Sequence, residues 1–261
     1  MASNTHSVIS PAILYWGTPV VLITSQNEDG TSNIAPMSSA FWLGHSCVLG
    51  LDATSKTTEN LLRTKECVLN LPSDTMVAAV NELAGTTGSN PVSASKASRD
   101  YKFVKDKWTK AQLSPQPSDF VQPSRIAECP VQMECQFLQV TNLRPDLPDR
   151  CGLVLAIEVR VLRIHIDDEL RMEGYANRVD PDKWHPLIMS FQEFYGLKEC
   201  QGWTHGSRKK TIALNLDGPW KKREEEKQTD PSLGLVVSQK RNIEDSRKAT
   251  LQGCQEMTMM H

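Results

Sequence analysis

Short apolar runs separated by polar and turn-forming residues mark the first part of the chain. An apolar run, Val20 to Ile23, is separated by Asp29-Gly30 from an extended stretch, Asn33 to Ser39, and a further apolar run, Cys47 to Leu51, follows. Asp-Gly between two extended runs is a strong hairpin signal, because both residues tolerate the positive φ that a tight turn needs. This half of the chain is therefore predicted to be antiparallel β-structure.

A second strand pattern begins after residue 125. Apolar residues alternate there with glutamine and glutamate at Val131, Met133, Cys135 and Phe137. This period of two predicts a half-buried strand. A second long strand is predicted from Leu153 to Ile166, with His165 interpreted as a solvent-facing residue rather than a ligand or base. Together with the earlier strands, these suffice to close a small barrel.

Two helices are predicted between the strands. The first covers residues 58–64, and the second covers residues 73–84, where apolar residues recur on one helical face for about three turns. Residues 85–100 are small and polar without periodicity, which predicts a loop. This loop is either a surface insertion or a flap near a ligand, and both interpretations stay open.

Composition excludes several classes of function. The chain has 261 residues and a formal net charge of −2, which argues against nucleic acids and anionic membranes as partners. It has no run long enough to cross a bilayer and no secretory signal, so a cytoplasmic protein is expected. The seven cysteines lack zinc spacing and the six histidines are far apart, so no metal is predicted, and most cysteines are expected to be buried in a reducing compartment.

The chain is predicted to divide into three parts. Residues 1–11 form a leader, residues 12–200 form one domain, and residues 201–261 form a tail. The tail contains the mixed-charge run KKREEEKQTD and few apolar residues apart from LGLVV at 233–237. Such a composition cannot bury enough surface to offset the entropy of ordering, so a largely disordered tail is expected.

Polar side chains, including several hydroxyl groups and one cation, cluster where the first helix begins, at Thr54, Ser55, Lys56, Thr57, Thr58 and Asn60. A helix N-terminus has unpaired N–H groups and a partial positive charge, so this cluster could hold a phosphate. Alternatively, Thr57 simply caps the helix, which is the commoner use of such a residue. The loop alone leaves both interpretations open.

Three consecutive motifs resemble those of the flavin reductase-like, FMN-binding split β-barrel family, which includes flavoredoxin. They are PVVLIT, NIAPMSSAF and SKTTENLLRTKECVLN, and a weaker resemblance continues through RIAECPVQMECQFLQV and LVLAIEVRVLRIHI. The resemblance spans residues 12–197. It implies a mainly β fold with a few helices, namely an antiparallel, Greek-key-like split β-barrel. It also implies FMN as cofactor and a homodimer with each flavin between two subunits.

The resemblance further implies which residues hold FMN. The phosphate would bind at Ser55, Lys56, Thr57 and Asn60. The isoalloxazine ring would lie along Asn33, Ala35, Pro36, Met37, Ser38 and Ser39. Many relatives have an arginine where this chain has Ser55, two residues before the phosphate-loop threonine. Either Lys56, a point charge, holds FMN less tightly so that it dissociates, or the backbone does most of the binding and the change matters little.

The segment from Tyr175 to Leu197 is rich in aromatic residues. Through Pro186, Leu187 and Tyr195 it resembles a family segment that lies near the flavin or the partner subunit. Core and interface packing is the commoner use of such aromatics. Packing is expected for Phe194, whereas Trp184 and Tyr195 stay open.

Two functional hypotheses follow. The chain has neither a GxGxxG fingerprint nor a Walker loop, so a dedicated dinucleotide domain is not expected. The first hypothesis is an FMN-dependent oxidoreductase that takes hydride from NAD(P)H and passes electrons to flavin, oxygen or a small organic substrate. His45 and Tyr195 are its weak acid–base candidates, and a structural role is favoured for His45. The second hypothesis is a non-catalytic split-barrel module that binds flavin or haem.

Overall fold

The computed structural model describes residues 6–197. The predicted tail, residues 201–261, lies outside the described residues, as does the start of the predicted leader. The strands are β1 Trp16–Pro19, β2 Val21–Gln26, β3 Ser32–Met37, β4 Ala40–Leu43, β5 Ser46–Asp52, β6 Glu66–Leu71, β7 Thr86–Thr87, β8 Lys102–Phe103, β9 Pro115–Gln116, β10 Arg125–Ile126, β11 Val131–Asn142, β12 Val154–Ile166, β13 Ile188–Ser190 and β14 Glu193–Tyr195. The helices are α1 Lys56–Thr64, α2 Val77–Ala84, α3 Ala94–Ala97 and α4 Lys107–Ala111.

A seven-stranded sheet forms the body of the fold, in the order β3-β2-β6-β11-β12-β5-β4. All of its neighbouring strands run antiparallel, as the sequence predicts. The two outermost strands, β3 and β4, follow one another in the chain. Between them the carbonyl of Ser39 accepts a hydrogen bond of 2.7 Å from the N–H of Gly50. The connection between the outermost strands is thereby held against β5.

Strand β2 is buried on both faces, because the protein has two hydrophobic clusters. Val21 and Ile23 belong to the cluster inside the barrel. Val20 and Leu22 belong to a second cluster, which includes residues of α2, α4 and β13. Burying a side chain of this size contributes about 1.5–3 kcal/mol. The two helices and the small sheet β1-β13-β14 therefore cover the outside of the barrel at β2 and β3.

Three local elements differ from the sequence prediction. The β2–β3 turn is wider than a two-residue Asp-Gly turn, since the N–H of Asn27 bonds to the carbonyl of Thr31, and only Gly30 within it has positive φ, at 81°. Strand β4 was not predicted. The second helix is shorter than predicted, because its first residues, Asp74–Met76, form a 3-10 turn.

The polar face of β11 is buried, which the alternation of its residues did not predict. Glu134 is wholly buried and accepts hydrogen bonds from the N–H groups of Asp119 and Phe120, at 2.9 and 2.6 Å. Its carboxylate also lies 2.6 Å from Nε2 of His165, whose side chain is 21% exposed. The prediction of a solvent-facing His165 was wrong, because the segment between β9 and β10 covers this face.

Asp119, Glu134 and His165 bring three possible metal-ligating atoms within 4.8 Å of one another. However, Asp119 forms an ion pair of 2.5 Å with Arg163, and both oxygens of Glu134 already accept hydrogen bonds. Protein groups therefore satisfy this cluster without a metal ion.

The cysteines follow the expectation only in part. Cys47, Cys67, Cys129 and Cys135 are free and buried, whereas Cys151 is disulfide-bonded. Between residues 6 and 197, the helices are all too short or too polar to span a bilayer.

Candidate cofactor site

The first helix begins two residues earlier than predicted, at Lys56, and its cap is Ser55 rather than Thr57. The hydroxyl of Ser55 accepts a hydrogen bond of 3.1 Å from the N–H of Thr58. The N–H groups of Lys56 and Thr57 have no intrahelical acceptor, because they belong to the first turn. Ser55 therefore caps the helix while the N–H groups of Lys56 and Thr57 stay available to a ligand, and the two interpretations of this loop are compatible.

Thr57 faces inward rather than toward solvent. Its side chain is buried, and its hydroxyl accepts a hydrogen bond of 3.1 Å from Nδ2 of Asn33 on β3. Asn33 is also buried, and its other amide atom, Oδ1, has no hydrogen-bond partner. A buried polar atom without a partner costs about 1–3 kcal/mol. Asn33 thus joins β3 to α1 through its Nδ2 atom, and its Oδ1 atom is an unused hydrogen-bond acceptor beside the helix N-terminus.

Part of the segment 85–100 packs against this place, which favours the interpretation as a flap near a ligand over that as a surface insertion. Gly88 packs so closely that a Cβ atom there would lie 2.5 Å from Oδ1 of Asn33 and 3.0 Å from Cγ of Lys56. Thr87, the preceding residue, is buried. Only a glycine fits at position 88 without a clash with Oδ1 of Asn33. The segment therefore packs directly on the place where β3 meets α1.

Lys56 is held by two carboxylates. Its amine lies 2.8 Å from Glu28, on the β2–β3 turn, and 3.2 Å from Glu59. The hydrogen bond from Lys56 lowers the pKa of Glu28 to about 2. Burial alone would lower the pKa of Lys56, but the bonds to Glu28 and Glu59 outweigh it and raise that pKa. The predicted phosphate cation is therefore already neutralised within the protein.

Asn60 anchors the β2–β3 turn to α1. Its Nδ2 atom donates to Oγ of Ser25 at 3.1 Å and to Oδ1 of Asn27 at 2.9 Å. Its Oδ1 atom accepts from Arg63 at 3.2 Å. Because both ends of this amide are engaged, Asn60 positions the turn that carries Glu28, and its predicted contact with phosphate remains a prediction.

The stretch predicted to line the isoalloxazine ring runs along one outermost strand of the sheet and into the β3–β4 connection. Ala35, Pro36 and Met37 are half-buried, and Ser38 is buried. Ser39 is fixed at both ends, since its carbonyl bonds to Gly50 and its hydroxyl lies 2.9 Å from the hydroxyl of Tyr15. These contacts give the stretch a defined conformation, which preorganises its backbone groups for a ligand.

Two lysines near the site were not predicted from the sequence. Lys107, in α4, is only 2% exposed, and its amine donates to the carbonyl of Ile34 at 2.8 Å. Burial, with a smaller contribution from the charge of Lys96, lowers its pKa to about 7. Lys96, in α3, is half-buried and lies 3.4 Å from the hydroxyl of Thr87. Burial also lowers the pKa of Lys96, although the nearby Asp52 opposes this effect.

The acid–base candidates are not brought to the α1 N-terminus. His45 lies in the exposed β4–β5 turn, while α1 follows the other end of β5, whose seven residues span roughly 20 Å. Tyr195 is 55% exposed on β14. Phe194 packs on the outer cluster and Trp184 on the barrel core, so packing describes both of these aromatics.

The residues at the α1 N-terminus fit a flavin nucleotide. The site offers a phosphate two N–H groups and the helix dipole. The unpaired oxygen of Asn33 offers an acceptor to a hydroxyl or N–H group of the same ligand. Hydrogen-bond donors and an acceptor thus lie close together where β3 meets α1. Binding sites that fix the orientation of a small molecule have such an arrangement.

Comparison with known proteins identifies the family. Residues 15–198 match the family model described as "Flavin reductase like domain", so the chain belongs to the flavin reductase-like family. At the level of the family it is a flavin-related oxidoreductase. The protein YdfE of Bacillus subtilis (strain 168) is 37% identical over 199 residues, which cover 76% of this chain and 93% of YdfE.

Solved structures confirm the predicted split-barrel fold. Flavoredoxin of Desulfovibrio vulgaris (Miyazaki F) is similar with a TM-score of 0.62 and 16% identity, over 78% of this chain and 98% of that one. Nitrilotriacetate monooxygenase component B from Bacillus cereus is similar with a TM-score of 0.58 and 20% identity, over 74% and 89% of the two chains. At such identities the likeness concerns the fold alone.

Proposed function

We propose that this protein binds FMN where β3 meets α1 and acts as an oxidoreductase that takes hydride from NAD(P)H. The electron acceptor would be flavin, oxygen or a small organic molecule. Bound FMN would supply the redox chemistry by accepting the hydride and passing electrons on. The names of two similar structures, a flavoredoxin and a monooxygenase component, support a role in electron transfer.

The observation that carries this proposal is the unpaired, buried Oδ1 of Asn33 beside the first turn of α1. The phosphate would bind at the N–H groups of Lys56 and Thr57, next to Ser55. The isoalloxazine ring would lie along the stretch from Ala35 to Ser39, whose backbone groups the structure holds in place. Asn60 would act indirectly, by fixing the turn against the helix.

The proposal includes a homodimer, supported by an exposed apolar patch on β1, β4 and the β13–β14 turn. Trp16 is 68% exposed and contacts Phe191 edge to face, with ring centroids 4.5 Å apart. Phe41 and Leu43, on the outermost strand β4, are 59% and 81% exposed. An apolar patch beside an open sheet edge favours a second subunit as partner.

The first experiment is an absorption spectrum of the purified chain before and after addition of FMN, followed by anaerobic addition of NADH or NADPH. A flavin spectrum that bleaches with either nucleotide is the expected result. Bound flavin that is never reduced would instead indicate the non-catalytic binding module. A chain that binds no flavin would refute the site.

The site itself is tested by Thr57→Val, which removes a buried hydroxyl without changing its volume much. Without this hydroxyl, Nδ2 of Asn33 loses its acceptor and the side chain of Asn33 is no longer held in place. FMN binding should therefore weaken by about tenfold. Thr64→Val is a matched control at the far end of the same helix, where the hydroxyl bonds only within residues 60–66. FMN affinity equal to that of the parent in Thr57→Val would refute the assignment.

A further inference from the structure

Two lysines carry positive charge near the proposed site, and their surroundings differ. Lys56 is the first residue of α1, whereas Lys96 belongs to α3 and contacts Thr87. Lys56 donates to both carboxylate oxygens of Glu28, at 2.9 and 2.8 Å, and also pairs with Glu59. An anionic ligand at Lys56 would have to displace Glu28 or accept a second negative charge beside it. Either alternative removes most of the gain from a new ion pair. Lys56 is therefore a poor source of positive charge for a phosphate.

Lys96 is a cation whose nearest oxygen partner is weak. Its amine lies 3.4 Å from the hydroxyl of Thr87, at the limit of a hydrogen bond. Within residues 6–197, the ion pairs of this region join other lysines to Glu28, Glu59, Asp29 and Glu82, and none includes Lys96. Lys96 has thus lost part of its hydration without forming an ion pair at contact distance, and burial lowers its pKa although the charge of Asp52 partly opposes this.

The packing of residues 85–100 connects Lys96 to the cofactor site. Thr87, which Lys96 contacts, precedes Gly88, and Gly88 packs on both Asn33 and Lys56. The charge of Asp52, which ends β5 just before the loop into α1, also acts on Lys96 and partly opposes the effect of burial on its pKa. The buried and unpaired Oδ1 of Asn33 lies at the same place, an independent indication that a ligand belongs there.

We propose that Lys96, and not Lys56, supplies the positive charge for the phosphate group of the bound flavin nucleotide. This inference rests on the proposed function and names the residue that determines preference for a phosphorylated flavin. An anion near Lys96 gives this partly desolvated amine the partner that it lacks, so the contact is favourable without breaking an existing ion pair. Because Lys96 belongs to the covering segment, phosphate also fixes that segment over the cofactor.

The test compares FMN with riboflavin, which lacks only the phosphate. Their dissociation constants are measured by quenching of flavin fluorescence for the full chain and for Lys96→Gln, Lys96→Arg and Lys56→Gln. Lys110→Gln is the matched control, because Lys110 is an exposed lysine of α4 that pairs with Glu82. Thermal unfolding checks that each variant is folded.

Lys96→Gln should reduce the preference for FMN over riboflavin about tenfold while riboflavin affinity stays unchanged. Lys96→Arg should restore most of the preference, and Lys110→Gln should leave it near the parent value. Lys56→Gln should reduce the preference less than Lys96→Gln does, through the charges of Glu28 and Glu59 that it leaves unpaired. An equal loss of affinity for FMN and riboflavin in Lys96→Gln would show that Lys96 has a purely structural role, and it would overturn the inference. A larger loss of preference in Lys56→Gln than in Lys96→Gln would overturn it too. A parent chain that binds neither flavin would refute the proposed function itself.

Discussion

Lys107 offers a quantitative test of the electrostatics beneath β3, through its replacement by methionine. The amine is buried, donates to the carbonyl of Ile34, and has its pKa lowered from about 10.5 to about 7 by burial. Methionine fills a similar volume without a charge. Its cost is the unpaired carbonyl of Ile34, and its benefit is that no ammonium group has to be buried.

The pH dependence separates these two effects. Between about pH 7 and 10.5 the unfolded chain keeps a proton on Lys107 that the folded protein releases. The unfolded state therefore binds more protons, and the free energy of unfolding rises with pH in this window. From pH 7 to pH 9 the rise amounts to about 2 kcal/mol for these pKa values. Lys107→Met should lack this contribution.

The assay is urea unfolding of the parent and the variant at pH 7 and pH 9, at one protein concentration because association shifts apparent stability. Other groups titrate alike in both proteins and cancel in the difference. Lys110→Met, in the same helix but exposed beside Glu82, should follow the parent at both pH values. If Lys107→Met gains as much stability from pH 7 to pH 9 as the parent, the amine is not desolvated in the folded protein.

Three further substitutions test the site and its support, each by urea unfolding. Gly88→Ala should lose about 1–3 kcal/mol and weaken FMN binding, because its Cβ would collide with Oδ1 of Asn33; unchanged stability would mean that the covering segment moves freely. Ser55→Ala should lose about 1 kcal/mol by removing the acceptor of the Thr58 N–H, whereas no loss would assign the cap elsewhere. Glu134→Ala should lose about 3–5 kcal/mol, since it strands two N–H groups and His165; a loss below 1 kcal/mol would show that water replaces the carboxylate.

The parts of the fold that local pattern determines were predictable from the sequence. Apolar runs located β2 and β5, alternation located β11 and β12, and the three motifs predicted a split barrel. Strand β4 was missed because all four of its residues, Ala40 to Leu43, are apolar. Ala40 and Trp42 contact the core while Phe41 and Leu43 are exposed, so a polar residue on the outward face, the usual sign of alternation, is missing.

The contacts that long-range packing determines could not be predicted. The burial of Glu134 depends on the segment before β10, which reads as a proline-rich connection. His165 pairs in register with Gln132, and its contact with Glu134 is a diagonal one that requires the register to be known. Lys107 lies in the segment KFVKDKW. No pattern within that segment indicates that the amine of Lys107 packs against β3.

The proposed phosphate contact of Lys96 would link flavin binding to the electrostatics of β3. Burial lowers the pKa of Lys107, and like-charge repulsion from Lys96 adds to this effect. The amine of Lys107 donates to the carbonyl of Ile34, next to Asn33. An anion at Lys96 would offset that repulsion and favour the protonated form of Lys107. A phosphorylated flavin would thus strengthen the hydrogen bond that fixes β3 at the cofactor, whereas an uncharged flavin would not.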